Sequence, residues 1–386
     1  MSHEAHRFHT RILEAADALA GDRKIRRFPL IGKVLVTSVS HVKEILDGDG
    51  VTVGKATRLN DAIAATTGTH SLIAPPETLG GQHGMEIRQL IGQFIHQKNR
   101  EYLENLGSIT TALSQKVRNA GRLHDVYRAI HSTYIEALLS VFAPVSQSRM
   151  PRLQHEIIGL SAELGTKTLL GSVGGEWMIT AMRGSRRYRR AELDVWVDDI
   201  VAQNKGLWDL SRDGALSKAF LRDNLLLMTG AGTTSPAATA TWTIYDAGTD
   251  QRDMQRLRLA KPKWEMTGVM AQTLRRHPFG FVLNRLALQN FSVGGQDIRK
   301  GDEIWMVTVP RRAHTQKDIP DENDLFGAQF GHGPRSCVGQ GLGIMAFGRF
   351  MNVWVDQIKD WRVTKNPRSP LYYPTLKPDS MDIVVG

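Results

Sequence analysis

The chain has 386 residues, 41% of them hydrophobic and 23% charged, and a formal net charge of +10 at pH 7. These values fit a globular protein with a large core, and no run of about eighteen apolar residues is present to form a membrane-spanning helix. The single cysteine, Cys337, excludes an intrachain disulfide and any multi-cysteine zinc or iron–sulfur site. The first residues, with Glu4, His6, Arg7, His9 and Arg11, lack the apolar segment of a secretory signal. The expectation is a soluble cytoplasmic protein without a membrane anchor. The basic excess is densest at Arg183, Arg186, Arg187, Arg189 and Arg190, with Tyr188 alone interleaved. No zinc-finger, RRM or KH signature accompanies it, so a solvated helix face is expected and no nucleic-acid partner. A basic surface also steers acidic partners or anionic substrates towards the protein.

In chain order, apolar residues at helical spacing predict a helix over 7–20. Two β-like runs around Gly32 predict a hairpin within 26–37, and Ser40 is expected to cap a short helix over 42–46. Residues 48–82 are rich in Gly, Thr, Ala and Pro and read as a long loop, with Pro75 and Pro76 as its clearest breakers. Helices are expected at 84–97, 101–119, 123–142, 150–168, 188–203, 215–246 and 250–260. Short strands return at 286–293 and 303–309, split by Gly294-Gly295 and Gly301-Asp302, and again near 361–364 and 381–385. The apolar stripe Phe347, Phe350, Met351, Trp354, Ile358 and Trp361 predicts the core face of a helix after Cys337. The pattern predicts a single domain over 1–386, mainly α with small β-sheets: mostly helical over 84–280, with minor β regions near 26–37, 286–309 and 361–386.

Cys337 lies in Phe330-Gly331-His332-Gly333-Pro334-Arg335-Ser336-Cys337-Val338-Gly339. Glycines strip side chains from the backbone around the sulfur, which suits a loop lying against a flat ligand. Arg335 and the start of the following helix both favour thiolate over thiol. The bland alternative is a small buried hydrophobe. Upstream, Leu225 to Pro236 places Gly230, Gly232, Thr229, Thr233, Thr234, Ser235 and Pro236 in one apolar helix, poor helix chemistry that predicts a bend or opening. The histidines lack metal-ligand spacing, and neither a nucleophile elbow nor a phosphate loop occurs.

The cysteine segment resembles the haem-ligand loop of the cytochrome P450 family, Phe-Gly-x-Gly-x-(Arg/His)-x-Cys-x-Gly, and meets every specified position. The resemblance runs from about residue 10 to the end of the chain and implies the cytochrome P450 fold. It implies haem b with Cys337 as thiolate ligand, and Phe330, Gly331 and Gly339 shaping the haem-binding loop. Leu225–Pro236 resembles the family's oxygen-binding helix, (Ala/Gly)-Gly-x-(Asp/Glu)-Thr-(Thr/Ser). In that register Gly230 gives dioxygen room, Thr233 and Thr234 are the hydroxyls, and Gly232 stands where the family has an acid. Thr229 replaces the small residue that opens the motif. Arg88, Arg285 and Arg335 fall at propionate-binding positions, with His83 as a further candidate one position off the family spacing. Gln272 and Arg275 stand where the family has Glu-x-x-Arg, so glutamine can bond that arginine but cannot neutralise it.

The activity implied is that of a haem-thiolate monooxygenase acting on a hydrophobic, mid-sized organic substrate in specialised (secondary) metabolism. It would use O2 and electrons from a ferredoxin or flavodoxin-like redox partner, as a monomer. Leu226, Thr229, Phe279, Gly280, Phe281 and Val282 are expected to line the substrate pocket. The missing acid motivates an alternative, in which peroxide is the oxidant or the reaction is coupling, cyclisation or rearrangement. A non-catalytic haem sensor or carrier is the alternative from another class.

Overall fold

The computed structural model describes residues 25–28, 32–48, 50–54, 66–67, 82–142, 145–173, 191–203, 218–260, 263–280, 282–309, 325–367 and 378–386. The helix expected over 7–20, most of the 48–82 loop, the arginine cluster at 183–190 and Phe281 fall outside these residues. So does the side chain of His83, although its backbone is helical.

The expected hairpin forms from β1 (Ile25–Phe28) and β2 (Lys33–Val36), paired antiparallel from Ile25↔Val36 to Phe28↔Lys33. Gly32 sits at its turn with φ +59°, a conformation that glycine adopts without a Cβ penalty. Helix α1 (Val39–Asp47) starts earlier than expected: Ser38 is the N-cap, and Ser40 lies in the first turn with its hydroxyl 2.8 Å from that of Ser38. β3 (Val53–Gly54) pairs with β5 (Val282–Ala287), and β8 (Glu303–Val307) runs parallel to β2 and antiparallel to β5. The sheet order is therefore β1-β2-β8-β5-β3. β6 (Phe291–Val293) and β7 (Gln296–Ile298) make a separate hairpin around Gly294 and Gly295. Arg27 grips Asp302 with two hydrogen bonds, Nε to Oδ2 at 2.8 Å and Nη2 to Oδ1 at 3.0 Å, tying β1 to the turn before β8.

The helical body begins with α2 (Gln82–Ala120), one helix of 39 residues where two were expected. The polar stretch between the two expected segments holds neither glycine nor proline, and Arg100 pairs with Glu104 one turn on at 2.9 Å, so nothing stops the helix there. β4 (Arg122–Leu123), α3 (Val126–Phe142), α4 (Met150–Val173) and α5 (Ala191–Gln203) follow. The longest helix after α2 is α6 (Lys218–Thr249), leading to α7 (Gln251–Leu259) and α8 (Lys263–Arg276). Helix α9 (Gln340–Gln357) follows Cys337, and β10 (Asp382–Val385) pairs with both β4 and β9 (Trp361–Lys365). The predicted stripe on α9 is the core: Phe347, Phe350, Met351 and Trp354 are fully buried, with Ile358 and Trp361 nearly so. α6 packs on α3, α4, α5, α7, α8, α9 and β9. That packing overrides the poor helix propensity of Gly230, Gly232 and Pro236, about 1 kcal/mol per glycine and about 3 kcal/mol for the proline.

Candidate functional site

The cysteine loop is built by short-range hydrogen bonds. The Cys337 N–H donates to the Phe330 carbonyl at 2.6 Å, closing a loop whose bends fall at Gly331 (φ +71°) and Gly333 (φ +65°). A short 3-10 turn, Gly333–Arg335, follows, and Ser336 N–H returns to the Gly333 carbonyl at 3.1 Å. The loop docks on the end of α1: a Cβ at Gly333 would lie 2.6 Å from the Leu46 carbonyl oxygen, and His332 Nε2 sits 3.2 Å from Asp47 Oδ1. Phe330 meets Phe326 edge-to-face at 5.1 Å. Arg88, on α2, donates to the Ser336 carbonyl.

Cys337 itself reaches solvent on one side and is walled by protein on the others. Burial pushes its thiol up, while the N–H groups of Gly339 and Gln340 and the Arg88 charge pull it back only partly. The helix-start N–H groups thus favour thiolate, as expected, while burial acts against it. A cation at the sulfur would supply what is missing. Gly339 is the N-cap of α9, and a Cβ there would stand 3.9 Å from the sulfur; at Gly341 and Gly343 a Cβ would meet nothing within 4 Å.

Helix α6 has one open face. From Asp223 to Tyr245 every residue is buried except Met228, Ala231, Gly232 and Ser235, the spacing of a single helix face. Gly232 is exposed, and a Cβ there would meet nothing within 4 Å. The opposite face is packed. A Cβ at Gly230 would lie 3.4 Å from Leu160 on α4, and Ser161 donates to the Gly230 carbonyl at 3.1 Å. Thr233 and Thr234 are buried towards His131 of α3, whose Nε2 lies 3.0 and 3.4 Å from their hydroxyls. Both hydroxyls donate back to their own helix, Thr233 to the Thr229 carbonyl at 2.7 Å and Thr234 to that of Gly230 at 2.6 Å.

Gln272 and Arg275 do not meet as expected. Gln272 accepts from Arg256 and lies 3.4 Å from Asp253 Oδ1, both on α7, while Arg275 donates to the Leu325 carbonyl at 3.2 Å. A charged cluster of other residues occupies this region: Arg276 bridges Asp246 and Asp253, and His277 bonds Asp246 at 2.9 Å while stacking on Trp242 at 4.1 Å. Burial raises the Asp246 carboxyl, but His277 and Arg276 outweigh it and hold the group below its ordinary range.

No family model matches this chain. A 157-residue stretch is 28% identical to cytochrome P450 714B3 of Zea mays, covering 33% of this chain and 30% of that protein. Cytochrome P450 714B2 of Oryza sativa subsp. japonica is 27% identical over 192 residues, covering 42% and 35%. The match thus spans about a third of the length of these relatives. Among solved structures, P450BioI in complex with an acyl carrier protein ligated to hexadec-9Z-enoic acid superposes with a TM-score of 0.75 at 14% identity. It covers 98% of this chain and 99% of that one. CYP109E1 from Bacillus megaterium in complex with testosterone gives 0.73 at 14% identity, covering 96% and 98%. The chain has the cytochrome P450 fold.

Within the P450 fold the donor set at Cys337 suits haem. The sulfur is open on one side, two N–H groups and an arginine support its charge on the other, and side-chain-free positions at Gly339, Gly341 and Gly343 leave room. Arg285 is buried and its Nη1 donates to the Asn284 carbonyl at 3.0 Å; Arg335 is half-buried two residues before Cys337. The expected α6 positions lie on its packed side. Gly230 packs on α4, and Thr233 and Thr234 face His131 of α3. Leu226 and Thr229 are buried. Phe279 packs against the main core, Gly280 (φ +69°) accepts from Thr308 at 2.9 Å, and Val282 opens β5 half-buried. The residues missed were Met228, Ala231 and Ser235. A helical wheel would have grouped them, but only α3 and α4 reveal which face is free.

Proposed function

We propose that the protein is a haem-thiolate monooxygenase with Cys337 as the iron ligand, acting on an apolar organic substrate. The observation that carries this reading is the one-sided exposure of Cys337 in a glycine-bent loop at the start of α9, within the P450 fold. When bound, haem supplies the iron at which dioxygen is reduced, and thiolate donation favours O–O cleavage. The N–H groups of Gly339 and Gln340 hold charge on the sulfur, and Arg88 braces the loop through Ser336. Arg285, Arg335 and His83 are the candidates for the haem carboxylates, for which charge-assisted bonds are the strong choice. On this reading the substrate side is formed by the open face of α6, where Met228 and Ala231 offer apolar contact. The apolar molecules bound by the two bacterial structures, a fatty acyl group and testosterone, support that substrate class. A ferredoxin or flavodoxin-like partner would deliver electrons to the basic protein surface.

The test is the spectrum of the reduced protein under carbon monoxide. A Soret band at the thiolate position is expected in the wild type and should vanish in Cys337→Ala; its absence from the wild type would overturn the reading. A second reading has its own observation, since the open face of α6 carries no carboxylate. On that reading the protein uses peroxide, or couples or rearranges its substrate. Efficient hydroxylation with reductant, redox partner and O2, with none from peroxide, would dismiss it.

A further inference from the structure

Resting on the haem-thiolate reading, we infer that Asp253 is a positioning residue for the Cys337 loop. It is the carboxylate through which α7 fixes α8 and, through α8, the segment that leads to the cysteine. Asp253 stands in the first turn of α7, its side chain only 13% exposed, and gathers groups from its own helix and from α8. Its Oδ1 accepts from Arg256 Nη1 at 3.1 Å, Arg276 Nη2 at 3.3 Å and Gln272 Nε2 at 3.4 Å. Its Oδ2 accepts from Arg276 Nη1. Gln272 and Arg276 are four residues apart, so one carboxylate grips a full turn of α8. Gln272 closes the ring by accepting from Arg256. Asp246, the other acid on Arg276, lies on α6 and is engaged by His277 as well.

The same short stretch of α8 holds the cysteine segment. Arg275 donates to the Leu325 carbonyl at 3.2 Å, and Gln329 Nε2 donates back to the Leu274 carbonyl at 3.0 Å. Between those two bonds Phe326 meets Phe330 edge-to-face, and the Phe330 carbonyl receives the Cys337 N–H. A shift of α8 therefore disturbs both bonds at once. What matters at Asp253 is where the charge sits. Arg256 Nη1 donates both to Asp253 Oδ1 on α7 and to Gln272 Oε1 on α8, so acid and amide stand in nearly symmetric places around it. The charge can therefore be moved from one helix to the other, whereas two acids facing each other at this separation repel.

The readout is the spectrum of the reduced, haem-loaded protein under carbon monoxide, in which the thiolate-type band and the band of protein that has lost thiolate ligation are measured together. Asp253→Asn should lower the ratio of the first to the second about tenfold, the worth of one charge-assisted hydrogen bond. Gln272→Glu should lower it as well, by setting two carboxylates side by side. The double variant Asp253→Asn, Gln272→Glu should recover most of the loss, because the acid then lies on α8, four residues before Arg276. Should Asp253→Asn fail to fold, recovery of folding in the double variant is the same result. Urea unfolding of the haem-free proteins should show the same non-additive cycle. A double variant no better than Asp253→Asn overturns the proposal. So does an Asp253→Asn protein that unfolds more easily yet keeps the wild-type ratio, since its role is then structural alone. A wild type with no thiolate-type band overturns the haem reading instead, so the two failures are distinguishable.

Discussion

Replacing Gly333 by alanine tests how the cysteine loop is held. Gly333 and Gly331 share a left-handed backbone, φ +65° and +71°, so alanine at either position costs about 1–2 kcal/mol in local strain. Their surroundings differ. At Gly331 the nearest atoms to an added Cβ are backbone atoms at 3.5 Å, an ordinary contact. At Gly333 the Cβ would stand 2.6 Å from the Leu46 carbonyl oxygen, a backbone atom at the end of α1 that cannot swing aside as a side-chain tip would. Overpacking of that kind adds about 1–3 kcal/mol. Pro334 further restricts the residue before it. The expectation is therefore a loss of about 1–2 kcal/mol for Gly331→Ala and about 2–5 kcal/mol for Gly333→Ala. Urea unfolding of the haem-free proteins, followed by circular dichroism and tryptophan fluorescence, measures both. Unfolding free energies within about 0.5 kcal/mol of each other on the usual linear extrapolation would refute the docking of this loop on α1.

Helix α6 offers a paired test. Gly232→Ala should stabilise the haem-free protein by about 1 kcal/mol, because alanine is the better helix former and its Cβ meets open space. Gly248→Ala in the same helix should destabilise it, since a Cβ there would lie 2.9 Å from Trp361 Cδ1; thermal melts that rank the two the other way would contradict the packing described. Asp302→Asn should lower the unfolding midpoint at neutral pH. The hydrogen bond from Arg27 holds the Asp302 carboxyl below its ordinary range despite its desolvation, so its contribution is present above about pH 4 and is lost as pH falls through the folded-state value. The difference between wild type and variant should therefore shrink in acid, and a constant difference down to acid pH would show that the charge is not what matters.

The parts of the molecule legible in the sequence are those fixed by neighbouring residues. The hairpin around Gly32 and the core stripe of α9 follow from local pattern, and the cysteine loop is one contiguous segment whose glycines sit where its backbone turns. Legibility ended where a distant element made the choice. The stretch near Arg100 looked like a break between helices, yet nothing in it terminates a helix. Gln272 and Arg275 share a face by spacing, but α7 captured the first and the Leu325 carbonyl the second. On α6 two successive threonines suggested one register for the motif. The contacts of α3 and α4 turned another face outward, and no local signal on α6 announces them.

Two hydrogen-bonding side chains therefore govern what the open face of α6 presents without belonging to it. His131, against Thr233 and Thr234, and Ser161, on the Gly230 carbonyl, both hold α6 within the two turns preceding Pro236. A roll of one residue about the helix axis, roughly 100°, would carry Ser235 out of the open face and present a different set of side chains. Anyone wishing to redirect the chemistry of this protein by varying only the residues on that open face would leave that setting untouched. A library that also varies positions 131 and 161 explores rotational states of the helix, and with them sets of contacts that no substitution on the open face can create.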